Sequence, residues 1–280
     1  MTTMTLPGVG RPLVPKEHGV WAVLYGSFLV GVGVAGRVTL PVVLCLVGIT
    51  AAAFANGSLP ILVRANTREV HRERRRHART WILLYGATAA TALAPLLLVF
   101  RMTFLLPFGV GAAFFLLLRA FLIWERGERT LIGELVGVAG LTMVGPVAHA
   151  VSTGEIRPIS AVLLLLLFLF FASGIFYVRM RVHGMVAQRK GVTAAPNPAR
   201  WPCVLYHTLL IVIVPTLFLT HLIPWPVLLA FAPAVWRAAV GLHRDDARLN
   251  LRRLGWSEVA VATTFVLLLI AAFRLGSVAG

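Results

Sequence analysis

Nine apolar stretches, each about as long as a membrane-spanning helix, alternate with polar connections along this chain of 280 residues. Hydrophobic residues make up 59% of the chain and charged residues only 13%, which is more apolar surface than a soluble core can bury. The stretches lie near 20–36, 39–63, 80–100, 103–124, 132–151, 158–179, 203–221, 224–242 and 256–275. The pattern predicts a protein that crosses a membrane many times.

Backbone amides and carbonyls in lipid must be paired, which limits spanning structures to helices and closed barrels. The sequence lacks the alternating segments of about ten residues that are typical of a membrane barrel. We therefore predict an all-α fold, a polytopic transmembrane bundle of about nine helices. It comprises a cytoplasmic leader (1–19), one transmembrane domain (20–275) and a short external tail (276–280), with no cleaved signal.

The basic residues predict the orientation of this bundle. Of the 26 lysines and arginines, all but Arg37, Arg101, Arg157 and Arg274 fall on one side when alternate connections are grouped. Short loops rich in lysine and arginine stay in the cytoplasm. We expect a multi-pass protein of the cell (plasma) membrane with a cytoplasmic amino terminus and an external carboxyl terminus.

The formal net charge of +16 could also suggest a nucleic-acid partner. The charges are instead spread over four cytoplasmic connections, and no soluble module is present to carry a nucleic-acid site. Membrane lipids are the expected partners, because basic connections attract anionic headgroups. We expect no nucleic-acid partner.

Cysteines and histidines give little support for a cofactor. Cys45 and Cys203 are isolated in apolar surroundings, and we predict that both are small core residues. His149 and His221 fall near the external ends of helices, where a haem pair is possible but hydrogen-bonded interfacial histidines are the favoured interpretation. The cofactor therefore stays unknown.

Small residues and one proline predict how the helices pack. Gly133, Gly137 and Gly140 recur along one side of the fifth stretch, and Gly31 and Gly33 do so in the first, where they let another helix approach closely. The segment NGSLP at 56–60 predicts that the second helix is kinked or broken.

Function is expected in the long cytoplasmic connections 64–79, 180–202 and 243–255, because loops carry binding and catalysis more often than the scaffold does. The last of these, HRDDARLNLRRLG, could lie on the membrane surface.

Ionisable groups crowd at the predicted cytoplasmic ends of the helices. The short stems of Glu134 and Glu258 reach the interface poorly, so we expect both to turn inward and pair with arginines such as Arg126 or Arg179. The candidate ligand-binding residues are Lys16, Arg64, Asn66, Glu125, Arg126, Tyr177, Arg179, Arg181 and Glu258. The candidate catalytic residues are Glu134, which could transfer a proton, with Glu17 and His18. We predict a shared polar pocket; scattered interfacial ion pairs are the alternative.

Several of these residues carry a resemblance to a known family. The segments PKEHGVW at 15–21, ERGERTLIGE at 125–134 and YVR at 177–179, and the pair LG at 254–255 followed by Glu258, together resemble the YwiC-like family of bacterial membrane proteins over nearly the whole chain. The resemblance implies a bacterial inner-membrane location and no particular activity.

Nine helices with long connections after the second and sixth also resemble the UbiA family of intramembrane prenyltransferases. That resemblance implies aspartate-rich motifs holding magnesium against a prenyl diphosphate. This chain instead has Asn66, Glu69 and Glu73 after the second helix and Arg179 and Arg181 after the sixth. The only aspartate pair, at 245–246, is in a different connection, so the sequence argues against magnesium.

Arginines can hold a phosphate without metal, and Arg64, Arg179 and Arg181 are the candidates. We therefore predict a membrane protein that binds a lipidic isoprenoid, a quinone-type lipid or another phosphate-bearing ligand, as a prenyltransferase-like enzyme or its degenerate relative. The alternative is a transporter or an accessory subunit of a membrane (respiratory) complex. Whether the protein is an enzyme stays open at this point.

Overall fold

The computed structural model describes residues 18–64, 69–189, 197–244 and 249–276, and the regular structure in these ranges is helical. The helices are α1 (His18–Ala35), α2 (Leu40–Arg64), α3 (Glu69–Leu98), α4 (Leu106–Trp124), α5 (Leu131–Thr142), α6 (Val144–Thr153), α7 (Pro158–Arg189), α8 (Arg200–Leu219), α9 (Val227–Leu242) and α10 (Leu251–Gly276), with a 3₁₀ turn at Thr103–Leu105.

The predicted all-α multi-pass fold is confirmed. When α5 and α6 are counted as one interrupted helix, the described part of the chain holds nine helical segments that follow the nine apolar stretches. Seven of them are long and apolar enough to cross a membrane, and α1 and α9 are shorter apolar helices. The interruption at Met143 has a local cause, because Pro146 has no amide to bond the carbonyl of Thr142.

Three helices are longer than the apolar stretches predict. α3 begins at Glu69 rather than near 80, α7 continues to Arg189 rather than ending at 179, and α10 begins at Leu251 rather than near 256. The added residues include Arg, Glu, Ala and Met, which favour a helix whether or not the segment lies in lipid. The prediction that 64–79, 180–202 and 243–255 are loops is therefore wrong for much of their length.

The second helix is not broken at 56–60. All five residues of that segment are helical, and α2 continues past Pro60 to Arg64. A proline removes only one intrahelical hydrogen bond, and α3 packs along α2 over this length, with the Phe54 and Tyr85 rings stacked 5.2 Å apart. Neighbouring packing thus maintains the helix.

Contacts along the bundle define its two ends. α1 and α10 run in parallel, because Gly33 lies against Ile270 and Gly36 lies against Arg274. α2 and α3 run antiparallel, with Gly48 against Leu93. We call the end at which α1, α3, α5, α8 and α10 begin the basic end.

Tryptophans support a membrane interface at the basic end. Trp124 at the end of α4, Trp201 at the start of α8 and Trp256 near the start of α10 are all strongly exposed. Tryptophan is enriched where the hydrocarbon layer meets the headgroups. The exposed rings thus lie where the predicted cytoplasmic interface should be, while the side of the membrane that this end faces stays a prediction.

The apolar core of the described residues consists of three clusters. One joins α7 to α8, α9 and α10 at the basic end and contains Tyr177, Met180, Cys203, Ala238 and Leu254. The other two, a large cluster and a smaller one, share α1. The larger joins α1 to α7, α8, α9 and α10, and its centre is the stacked pair Phe170 and Phe265, whose ring centroids lie 3.6 Å apart. The smaller joins α1 to α2 and α6. α1 therefore lies between the two halves of the bundle.

The predicted close approach at small residues is confirmed. Gly31 of α1 faces the backbone of α6 so closely that an added Cβ would overlap the Gly145 carbonyl oxygen and lie 2.9 Å from the Ala148 side chain. In α5, a Cβ at Gly140 would lie 3.2 Å from Phe115 of α4, and one at Gly137 would lie 4.0 Å from Arg119. Gly31 thus lets α1 pack against the backbone of α6, and Gly140 makes room for the Phe115 side chain, whereas the approach at Gly137 is an ordinary contact.

We expect Gly31→Ala to destabilise the protein by about 1–3 kcal/mol, because the added methyl group meets backbone that cannot move aside. Gly86→Ala in α3 is the matched control, since no atom lies within 4 Å of its added Cβ. It should leave stability unchanged or raise it by up to about 1 kcal/mol. Thermal unfolding in mild detergent measures both, and equal melting temperatures would contradict this packing.

The orientation can be tested with reporter fusions. If lysine and arginine hold the basic end in the cytoplasm, green fluorescent protein fused after Arg189 should fluoresce. Alkaline phosphatase, which needs an oxidising compartment to form its disulfides, should be active when fused after Gly276 and inactive after Arg189. The reverse pattern would show that the bundle is inserted the other way round.

Candidate functional site

Three ion pairs join helices at the basic end of the described structure. Arg64 at the end of α2 pairs with Glu128 in the α4–α5 connection, Arg179 of α7 pairs with Glu134 of α5, and Arg237 of α9 pairs with Glu258 of α10. Each pair links two different elements. Five of the ten described helices, α2, α5, α7, α9 and α10, thus take part in an ion pair to another element at this end.

The start of α5 determines where Glu134 lies. Thr130 is the N-cap of α5, and its hydroxyl accepts a hydrogen bond from the Gly133 amide at 3.1 Å. An added Cβ at Gly133 would overlap the Gly127 carbonyl oxygen, so only glycine lets the α4–α5 connection pack against this turn. Glu134 then lies in the first turn, where the helix dipole favours a carboxylate.

The guanidinium of Arg179 contacts α5 and the residues just before it through a single nitrogen. Its Nη1 lies 3.0 Å from Glu134 Oε2 and donates to the Arg129 carbonyl oxygen at 3.2 Å. The Arg179 side chain is 27% exposed, and Nε and Nη2 have no hydrogen-bond partner among the described residues. The predicted pairing of Glu134 with Arg179 is thus confirmed, and one edge of the guanidinium remains accessible.

A cavity of about 140 Å³ lies beside this guanidinium. It is bounded by the start of α5, the middle of α7 and the start of α8. Its walls are Leu131, Phe176, Arg179, Pro198, Ala199 and Pro202. Five of these six side chains are apolar, so the arginine is the only charged group among the described residues that line the cavity. The cavity can accept an apolar segment that ends in an anion.

The α4–α5 turn holds two further candidate residues away from this cavity. Arg126 has a φ of 56°, the left-handed conformation that ends α4, and the Gly127 amide donates to the Leu122 carbonyl across it. Glu125 and Arg126 are both exposed and make no side-chain hydrogen bond or ion pair to a described residue. They do not join the polar residues at the cavity.

α7 separates the candidate residues into two groups, because its opposite faces meet different helices. Phe176 and Arg179 face α5 and α8, whereas Ser173, Tyr177 and Arg181 are buried on the side of α9 and α10. Positions two apart on a helix point in roughly opposite directions, about 200° apart. Two polar sites are therefore present where a single shared pocket is predicted.

The second site, which we call the Arg237 cluster, consists of Arg237, Glu258, Ser173 and Tyr177. Arg237 pairs with Glu258, donates from Nη2 to the Ser173 hydroxyl at 3.2 Å, and lies over the Tyr177 ring at 4.7 Å. The Arg237 side chain is 9% exposed and that of Glu258 is 21% exposed. Glu258 Oε1 and Arg237 Nε are buried and have no partner among the described residues.

Glycines make room for the Arg237 cluster. A Cβ at Gly241 of α9 would lie 2.5 Å from the Tyr177 ring, and one at Gly174 of α7 would lie 3.3 Å from Glu258 Oε2. The Tyr177 hydroxyl accepts a hydrogen bond from Arg181, which is itself buried. Tyr177, Arg181 and Glu258 are thus near one another, as a common polar site requires, but on the face of α7 opposite to Arg179.

The expected partner of Glu258 is wrong in one respect. Glu258 pairs with Arg237, not with Arg126 or Arg179. Arg237 was grouped with the basic residues of a cytoplasmic connection, although this arginine lies among apolar residues in FAPAVWRAAVGL. A lone arginine inside an apolar stretch marks an intramembrane site with a buried partner, and that signal could have identified it.

Other candidates lie outside the described residues. These are Lys16, Glu17, Asn66 and the aspartate pair at 245–246, together with the side chain of His18. Among described residues, no three His, Cys, Asp or Glu side chains group as metal ligands would. His149 is buried, with Nδ1 3.1 Å from the Ser160 hydroxyl, whereas His221 is exposed.

Residues 14–149 match the sequence model of a family described as YwiC-like protein. The matched range includes Arg64 and Glu134, whereas Arg179 and the whole Arg237 cluster lie beyond it. No curated protein and no solved structure matches the chain. The chain is thus similar to YwiC-like proteins over residues 14–149. The resemblance over the rest of the chain and the UbiA-like architecture stay predictions.

We expect Glu258→Gln to destabilise the protein by about 3–5 kcal/mol, because the charge of Arg237 would be left buried without a counterion. Glu155→Gln is the matched control: the Glu155–Arg157 pair is exposed at the other end of the bundle, and losing it should cost less than about 1 kcal/mol.

Thermal unfolding in mild detergent distinguishes these cases. The double variant Arg237→Met with Glu258→Leu should recover much of the loss, since both charges are then absent. If Glu258→Gln melts at the temperature of Glu155→Gln, the pair does not hold α9 and α10 together.

Proposed function

We propose that this protein binds the phosphate-bearing head of a membrane lipid in the cavity beside Arg179. The observation that carries the proposal is the one-sided fixation of Arg179. Both contacts of its guanidinium leave from Nη1, so the edge formed by Nε and Nη2 has no partner among the described residues. This edge is the one that binds two phosphate oxygens at once.

The electrostatics of the basic end favour an anion. Glu134 orients Arg179 and offsets part of its charge, but Arg129 and Arg200 flank the cavity in sequence on either side. The concentration of arginine at this end raises the local concentration of anions. Glu134 thus orients the arginine, while the neighbouring positive charges still attract a phosphate. Because Glu134 offsets part of the charge of Arg179, the phosphate can also be released.

The walls of the cavity favour a lipid over a free phosphate. Leu131, Phe176 and Pro202 supply apolar contact next to the guanidinium. A volume of about 140 Å³ is below the 300–1,000 Å³ of pockets that enclose a whole small ligand. The cavity therefore suits a phosphate-proximal segment, with the remainder of the chain in the surrounding lipid.

An isoprenoid phosphate is the narrower form of the proposal. The predicted UbiA-like architecture supports it, and a single isoprene unit is small enough for apolar walls of this size. Of the three candidate arginines, only Arg179 lines the cavity, because Arg64 pairs with Glu128 and Arg181 is buried on the opposite face of α7. The proposal is therefore for binding by Arg179 without magnesium. Glu134 then acts as a positioning residue for Arg179 and not as a proton donor.

The Arg237 cluster favours a second candidate, a transporter or an accessory subunit of a membrane complex. Ionisable groups within spans are costly and mark pathways for ions or protons. Arg237 and Glu258 each keep one buried polar atom without a described partner, as a pathway group needs in order to exchange partners. Cavity and cluster lie on opposite faces of α7, so each can be tested separately.

We expect Arg179→Gln to weaken binding of a polyprenyl monophosphate by roughly 10- to 100-fold, since a charge-assisted hydrogen bond is worth about 1.5–3 kcal/mol. Arg189→Gln is the matched control, because Arg189 is exposed at the end of the same helix. Native mass spectrometry of the purified protein in mild detergent measures both affinities.

Three outcomes can be told apart. Loss of binding only in Arg179→Gln supports the site. Equal affinities in wild type, Arg179→Gln and Arg189→Gln would refute it. If wild type retains no phosphate lipid but shows ion-dependent transport in vesicles, and the folded double variant Arg237→Met with Glu258→Leu lacks that transport, the second candidate replaces the first.

A further inference from the structure

We infer that α3 carries an arginine face that binds the phosphates of anionic lipids in the surrounding membrane. This arginine face consists of Arg72, Arg75, Arg76 and Arg79 in the first turns of the helix, and all four residues are exposed. None of them makes a side-chain ion pair or hydrogen bond to a described residue. The face does not include Arg179 and is independent of the proposed function.

Helical geometry places these arginines together. At about 100° per residue, positions spaced i, i+3, i+4 and i+7 lie within about 100° of one another. Arg74 points in a different direction, along the stripe that continues through Ala78 and Trp81, which are buried. One face of α3 thus carries four arginines, and another packs into the bundle.

The arginine face continues directly into the lipid-facing surface of the same helix. Leu83 lies one turn beyond Arg79 on this face and is strongly exposed, and Ala90 follows two turns later and is also exposed. Near this surface, Gly86 has no atom within 4 Å of the position of an added Cβ. The arginines therefore lie over the surrounding membrane and not over the helical bundle.

The arrangement is unfavourable unless anions are bound to it. Arg72 and Arg76, Arg75 and Arg79, and the i, i+3 pairs among them are neighbours, and like charges at these spacings repel. Of the four, Arg72 is the nearest to the start of α3, where the helix dipole opposes positive charge. The acids of α3 are Glu69 and Glu73, too few to balance the arginines of its first turns. Lipid phosphates supply the missing negative charge.

The length of the arginine face matches a headgroup layer. From Arg79 to Arg72 the helix rises about 10 Å, and the polar layer on each side of a bilayer is about 5–8 Å thick. Flexible arginine side chains can reach phosphates over this range. A soluble acidic partner would not require the face to continue the lipid-exposed stripe, so anionic phospholipid is the favoured occupant.

The test compares the lipid affinities of the wild-type and variant full-length proteins. Each protein is titrated in mild detergent with phosphatidylglycerol or phosphatidylcholine, and bound lipid is measured by native mass spectrometry. The face variant is R72Q/R75Q/R76Q/R79Q. A charge-matched control, R189Q/R244Q/R252Q/R253Q, removes the same number of exposed charges from the same end and spares the arginines beside the Arg179 cavity. A second control, Arg74→Gln, alters the other side of α3.

We expect the wild-type protein to bind phosphatidylglycerol more tightly than phosphatidylcholine. The face variant should bind phosphatidylglycerol at least tenfold more weakly than wild type, since each arginine near a headgroup raises the affinity about fivefold. Both controls should lose less than threefold, and phosphatidylcholine binding should not change. In neutral detergent the face variant should melt at or above the wild-type temperature, because mutual repulsion has been removed. That result also shows that the variant folds.

Two outcomes would overturn the inference. One is a face variant that retains its phosphatidylglycerol affinity or loses no more than the charge-matched control. The other is a face variant that loses binding of an oligonucleotide or acidic peptide in solution while its lipid affinity is unchanged, which would assign the arginine face to a soluble partner.

Discussion

Charged side chains within a membrane span need counterions. In this bundle, the pairing of arginines with glutamates across helices determines which of the helices that carry them lie next to one another. Arg179 and Arg237 lie within apolar helices, and each meets a carboxylate from a different helix. A charged side chain costs about 2.5–3.5 kcal/mol on insertion scales in the middle of a span and less toward its ends, where these two arginines lie, and a counterion lowers that cost. Helices that supply the counterion are therefore held next to helices that carry the charge, and α5, α9 and α10 pack around α7.

α7 is the element on which both polar sites depend. Its 32 residues continue past the apolar stretch, so Arg179 and Arg181 lie on a rigid helix instead of a loop. A helix holds side chains two positions apart on roughly opposite faces, and for this reason Tyr177 and Arg179 belong to different sites although they are close in sequence. One site has an apolar cavity and an accessible guanidinium edge, and the other is an almost buried ion pair. This separation lets binding at one face and charge movement at the other be examined independently.

The sequence predicted much of the scaffold and part of the candidate site. Apolar length identified the nine segments, glycine spacing identified the close contacts of α1 and α5, and the short stem of Glu134 correctly indicated an inward pair with Arg179. The same reasoning failed for Glu258, because its partner was taken from residues assigned to helix ends while Arg237 was counted with a loop. At 56–60 the predicted break is absent, since a local helix-breaking pattern cannot report how strongly α3 supports α2. The lengths of α3, α7 and α10 were missed because hydropathy detects the lipid boundary and not the end of a helix.

The order of apolar and basic residues along the chain is enough to predict a helical membrane protein with its arginines concentrated at alternate connections. These properties depend on residue type and on spacing along the chain, because each span must satisfy its own backbone and each connection carries its own charge. The folded bundle alone shows which charges meet, that the Arg179 guanidinium keeps one edge accessible beside a cavity, and that the arginines of α3 face away from the bundle. Those features depend on helix rotation and on which helices are neighbours, and both are settled by packing between segments that are distant in sequence.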